Sequence, residues 1–175
     1  MNIDRAKKNK TPLYRLAILI VFIAYVFWLM FFYRYHFIDN VNLVFHEAGH
    51  IFFTPLGRTL HFLGGTFGQL AFPVAIAIYF WKEGKFFEAG IGGIWLGESF
   101  LYMAEYMGDA VEQVLPLVGG GIHDWHFLFS QWGVLHKTNT LSGFFYFMGC
   151  IILLVSLIFM FRHREVKITS VDDIL

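Results

Sequence analysis

The sequence predicts an all-α integral membrane protein, with about four transmembrane helices and one short helix that bears a His-Glu-x-x-His motif. Three observations predict it. The 175 residues are 57% hydrophobic and only 15% charged, against roughly 25% charged in an average soluble domain. Three charge-free apolar runs, residues 16–33, 63–81 and 140–161, each approach the roughly 20 residues that a bilayer crossing needs. A fourth stretch, residues 89–107, is as long but carries Glu98 and Glu105.

The first run is followed by Tyr33-Arg34-Tyr35-His36, which lacks the small residues of a leader cleavage site, so it reads as a retained anchor. A shorter apolar stretch, residues 41–56, holds the motif and is punctuated by Pro55 and Gly57. The length suits a single membrane domain over 1–175, with a basic cytoplasmic N-terminus over 1–12 and a polar cytoplasmic tail over 162–175. Cys150 is the only cysteine, so no internal disulfide can form. The formal net charge is zero, which gives no reason to expect a nucleic-acid partner.

Basic residues set the expected orientation. Arg5, Lys7, Lys8, Lys10 and Arg15 precede the first run, Lys82 and Lys85 follow the second, and Arg162, Arg164 and Lys167 follow the last. Five full spans would put the two termini on opposite sides. Four spans, with the motif helix entering and leaving on the outer side, put all three clusters in the cytoplasm. The loop 108–139 then lies outside, and the motif faces outward. The expected location is a bacterial inner membrane. The expected partners are membrane lipid and a membrane-associated protein or peptide substrate; oligomeric state is not predicted.

The motif is His46-Glu47-Ala48-Gly49-His50. Residues four apart share a helix face, so both imidazoles can reach one metal. Glu47 is then placed to bind a metal-held water, whose pKa zinc lowers to about 7, and to take its proton. Ionisable groups inside a membrane cost roughly 2.5–3.5 kcal/mol each on insertion scales. Three within five residues therefore call for a function, although histidines and a glutamate hydrogen-bonded between helices are the plain structural alternative. Ala48 and Gly49 are small enough to admit a second helix or a substrate.

The motif, set in an apolar helix, resembles that of the site-2 protease family of intramembrane zinc metallopeptidases. The resemblance implies a helical core, Zn2+ on His46 and His50, and Glu47 as general base for peptide-bond hydrolysis in or near the bilayer. That family usually draws its third ligand from an Asp in a downstream Asn-Pro…Asp-Gly type motif. None stands here, so the third ligand has to come from elsewhere.

The densest alternative is His123-Asp124-Trp125-His126, behind a flexible Gly119-Gly120-Gly121. His123 is the expected third ligand. Asp124 and His126 are further candidates, as ligands or as groups that orient an imidazole. Glu98, Glu105 and Asp109, spaced by seven and four, form a carboxylate stripe joined by Tyr102. These are also candidate ligands or ligand partners. Asp109 can instead cap a short helix over 110–115, and Glu98 needs a partner such as a histidine, Arg58 or water.

Gly64-Gly65-Thr66-Phe67-Gly68-Gln69 could lie extended beside the metal and pair with a substrate backbone, with Thr66 or Gln69 donating to a developing oxyanion. A close-packed helix start is the competing expectation. His36, His61 and His136 read as interfacial residues. The leading expectation is thus a zinc metalloprotease. A di-iron hydroxylase or desaturase, a lipid hydrolase and a non-catalytic membrane metal-binding protein remain as alternatives.

Overall fold

The computed structural model describes residues 9–118 and 121–167. It is helical apart from two paired two-residue strands. Six helices follow one another: α1 (Leu13–Phe32), α2 (Phe37–Phe53), α3 (Arg58–Lys82), α4 (Phe86–Gly108), α5 (Asp124–Gln131) and α6 (Thr138–Arg162). The strands β1 (Asn9–Lys10) and β2 (Val166–Lys167) pair antiparallel, so both ends of the described chain meet at one end of the bundle. The remaining residues of the basic N-terminus and of the polar tail, and Gly119 and Gly120, lie outside the described residues.

Three helical segments are long and apolar enough to cross a membrane: α1, α3, and α6 with the turn before it. The sequence suggested a fourth in α4. That helix has 23 residues, but its glutamates and five glycines dilute its apolar character. It forms the centre of the bundle, with buried residues on every side. Gly97 meets Leu153 of α6, and Gly92 meets Ala77 of α3 so tightly that a Cβ would lie 2.9 Å from the Ala77 backbone. Small residues let these backbones approach closely. The outward faces of α1 and α6 stay apolar, with Val21, Phe27, Phe147 and Val155 all more than half exposed. This surface is consistent with membrane association.

Specific contacts fix the helix directions. Arg15 of α1 donates to Glu88 of α4 at 2.8 Å and to the carbonyl of His163, just after α6, at 3.2 Å. At the other end of α1, the Tyr146 hydroxyl of α6 donates to the carbonyls of Leu29 and Met30. Thus α1 runs parallel to α4 and antiparallel to α6. Helix α3 runs against α4, and α2 against α3, with Gly49 lying on Gly64 and Phe45 on Gly68. So α2 points the same way as α1. Residues 33–36 fold the chain back between them, because Tyr33 lies near Glu105 whereas Asn42 reaches Glu98.

Local structure settles three open points of the sequence reading. Helix α3 starts at Arg58 and absorbs the glycine-rich segment, so 64–69 is the close-packed helix start and not an extended segment. No helix forms over 110–115. There the Asp109 carboxylate accepts the backbone N–H groups of Val114 and Leu115, at 2.9 and 3.0 Å, and rolls the chain into turns. The loop 108–139 holds α5, which buries Trp125, Leu128 and Phe129 against Met103 and Met107 of α4 and Phe62 of α3. Each such side chain contributes on the order of 1.5–3 kcal/mol of burial. This anchoring sets the position of Asp124 at the first turn of α5.

Candidate metal centre

On α2, His46 and His50 fall one turn apart, and their rings lie 4.7 Å apart, centroid to centroid. Each has its Nδ1 occupied. Gln69 donates its Nε2–H to the Ser99 carbonyl at 3.1 Å, so its Oε1 faces His46 Nδ1 at 3.0 Å and accepts the proton there. His50 Nδ1 donates to the His61 carbonyl at 2.7 Å. With both Nδ1 atoms protonated, the Nε2 atoms present lone pairs. They converge on one oxygen, Asp124 Oδ2, at 2.8 Å from His46 and 3.1 Å from His50. The three atoms can share a proton or hold a cation between them, and they form the donor set of a candidate metal site. His46, His50 and Asp124 are accordingly one of two groups in the described chain able to hold a metal ion.

The surroundings fit an ion. Gly65 of α3 faces both imidazoles, and a Cβ there would lie 2.5 Å from His46 Nε2 and 2.7 Å from His50 Nε2. Only glycine leaves that space open. Burial alone would raise the Asp124 carboxyl. When the His46 and His50 rings carry protons toward it, their hydrogen bonds and charge outweigh burial and hold it below the ordinary Asp value, so the carboxylate is the charged partner of the site. Two imidazoles, a carboxylate and an open position suit zinc.

Glu47 lies one residue round the helix and makes no hydrogen bond or ion pair among the described residues. It lines a cavity of about 750 Å³ together with His46, His50 and Asp124. The cavity wall is otherwise mostly apolar, with Leu43, Phe62, Leu115, Leu117 and Ile122. Tyr106 and Tyr102 also reach it. The Tyr106 hydroxyl accepts the Asp124 N–H at 3.2 Å, which leaves its own O–H free to donate. Sequence reasoning missed Tyr106. Its only signal was its position on α4, four residues after Tyr102.

The expected third ligand, His123, lies outside the group. It is the N-cap of α5, and its Nδ1 accepts the His126 N–H. Its Nε2 turns to Asp109 Oδ2 at 3.4 Å, and its ring stacks on Tyr106 at 4.2 Å. Burial lowers its pKa against the pull of Asp109 and Asp124, so the ring stays neutral. Adjacent residues at a helix start point in different directions, and Asp124, not His123, faces the imidazoles. His126 is drawn away to the Ala110 carbonyl at 2.8 Å.

The carboxylate stripe does not act as a unit. Glu105 is exposed and lines the cavity, Asp109 ties the turns after α4, and Glu98 is wholly buried beside Asn42 and Asp39. Arg58, once a possible partner for Glu98, stacks on Phe127 at 4.5 Å instead. Thr66 and Gln69 are buried in α3 and do not line the cavity, so neither is placed to meet a substrate there. Gln69 orients His46. His61, read from sequence as interfacial, supports His50 through its carbonyl and lines the cavity.

Comparisons with known proteins add no family. No family model matches the chain, and neither curated proteins nor solved structures give a match.

Proposed function

We propose that the chain is a membrane-embedded zinc metallopeptidase, with His46, His50 and Asp124 holding the ion and Glu47 as general base. The observation that carries this reading is the convergence of two Nε2 atoms on one Asp124 oxygen, with Glu47 on the cavity wall and without a partner among the described residues. Zinc held there would supply an acidified water and polarise a carbonyl. Glu47 would accept a proton at its carboxylate and return it to the leaving amine. Tyr106 donates its free O–H to the oxygen on which charge develops. Leu43, Phe62 and Leu117 hold an apolar stretch of substrate against the site.

Four spans, α1, α3, α4 and α6, complete the proposal, with α2 re-entering from the outer side. Helix α4 crosses as the shielded central helix, since its glutamates face protein or the cavity rather than lipid. The basic clusters put the chain ends in the cytoplasm and the cavity toward the outer face of a bacterial inner membrane.

The test uses full-length protein in liposomes, with its metal counted and hydrolysis of co-reconstituted quenched-fluorescence peptides measured. The expected result is zinc in the wild type, zinc without activity in Glu47→Gln, and no zinc at this centre in His46→Ala. Proteolysis that persists in Glu47→Gln excludes the mechanism.

A further inference from the structure

A second polar cluster lies deeper in the bundle, on the same face of α2. Asp39 precedes His46 by seven residues, about 10 Å of helix rise. Asp39 and Glu98 are both fully buried, and one carboxylate oxygen of each lies within 4.8 Å of the other. No Lys or Arg lies within ion-pair distance of either among the described residues. The sole ion-pair partner is His36, whose Nδ1 lies 2.8 Å from Asp39 Oδ2. Buried carboxylates without a counter-charge are costly, and a pair of them more so.

The hydrogen bonds leave the pair short of a positive charge. Asp39 accepts the Tyr33 hydroxyl on Oδ1 and the His36 backbone N–H on Oδ2, both at 2.6 Å. Glu98 Oε2 accepts the Asn42 amide at 2.8 Å. Glu98 Oε1 is buried and has no hydrogen-bond partner. A buried oxygen of this kind needs a proton or a cation beside it. His36 Nδ1 faces two acceptors, Asp39 Oδ2 at 2.8 Å and the Arg34 carbonyl at 3.1 Å, so it carries the ring proton while Nε2 accepts the Tyr25 hydroxyl at 2.7 Å; a cation bound beside Asp39 would displace that proton. One donor atom each from His36, Asp39 and Glu98 lies within 4.8 Å of the other two.

We propose that His36, Asp39 and Glu98 form a second divalent-cation site, separate from the His46 centre. Two carboxylates and one imidazole suit Zn2+ or Mn2+ better than a purely oxygen-seeking ion. The ion bridges α2 to α4 and fixes the start of the motif helix. A continuous chain of hydrogen bonds joins the two sites. It runs from Glu98 to Asn42, from Asn42 Oδ1 to the Ser99 hydroxyl, and from the Ser99 carbonyl through Gln69 to His46. Occupancy of the deeper site therefore steadies His46. The proposal does not depend on peptide hydrolysis, because it concerns binding alone. A proton shared between the two carboxylates is the competing way to neutralise them.

The test is metal stoichiometry on full-length detergent-solubilised protein, stripped with a chelator and titrated separately with Zn2+ and Mn2+. Two equivalents are expected for the wild type with at least one of the ions. The His46→Ala/His50→Ala double variant should keep one, and its Co2+ form should show the absorption of a mixed nitrogen and oxygen site. His36→Gln alters a partly exposed residue and avoids emptying the buried pair, so it is the variant least disruptive to folding. It should lower the wild-type count from two to one. A single wild-type equivalent that disappears in the double variant and is unchanged in His36→Gln overturns the proposal in favour of a shared proton. Two equivalents that persist in both His36→Gln and Glu98→Gln overturn it too.

Discussion

A Cβ at residue 65 would sit 2.5 Å from His46 Nε2, the atom that faces Asp124. Gly65 on α3 therefore shapes the candidate metal centre although it has no side chain to offer. In Gly65→Ala the methyl group must displace both imidazoles, and overpacking of this kind costs about 1–3 kcal/mol. The expected outcome is loss of bound zinc with helical content retained. Gly143→Ala on α6, where a Cβ meets nothing within 4 Å, should leave both unchanged. Full zinc content in Gly65→Ala would show that the ion does not lie between these rings.

Asp124 and His123 make opposite predictions despite being neighbours. Asp124→Asn keeps the shape but removes the anionic oxygen on which both imidazoles converge, so zinc affinity should fall by ~10²-fold or more. His123→Ala removes a ring that stacks on Tyr106 and faces Asp109. It should lower the melting temperature while zinc binding stays within a few-fold. Equilibrium dialysis of both variants decides; the reverse ranking would restore His123 as the ligand.

This pair also marks where sequence reading stops. The spacing of His46 and His50 was legible because helix periodicity alone puts them on one face. The apolar runs of α1, α3 and α6 were legible because bilayer thickness sets a length. The choice within His123-Asp124-Trp125-His126 depends on how the first turn of α5 is rotated, and that follows from Trp125, Leu128 and Phe129 packing on Met103 and Met107. The glycines at 64, 65 and 68 weaken helix propensity locally, which left an extended segment open beside a close-packed helix start. Gly49 on Gly64 reverses that preference, since close helix contact favours the residue that propensity penalises. The cluster of His36, Asp39 and Glu98 was invisible because Glu98 stands on a different helix, far along the chain.

Gln69 holds His46 from behind through Nδ1, and its amide is held in turn by the Ser99 carbonyl. Gln69→Ala frees the imidazole to rotate and to change tautomer. Zinc affinity should drop 10–100-fold, the usual cost of losing a partner that orients a metal-bound histidine. Gln69→Glu, which keeps an acceptor at Oε1 and loses the donor to Ser99, should recover part of it. A competition assay with a zinc-responsive dye checks both. Equal affinity in wild type and Gln69→Ala would mean that His46 is oriented by its ring contacts alone.

Tyr106 separates catalysis from metal binding. Its hydroxyl accepts the Asp124 N–H and lines the cavity, so its proton is free to point at a bound carbonyl. Tyr106→Phe keeps the ring that stacks on His123 and deletes only that donor. If the hydroxyl stabilises developing charge, kcat should fall by roughly 10²-fold, with KM and zinc content close to wild type. Steady-state kinetics in liposomes, paired with metal analysis, measure all three. A lower zinc content together with the lower rate would point to loss of the Asp124 backbone contact. Unchanged kcat would remove Tyr106 from the chemistry and leave the oxyanion to the ion alone.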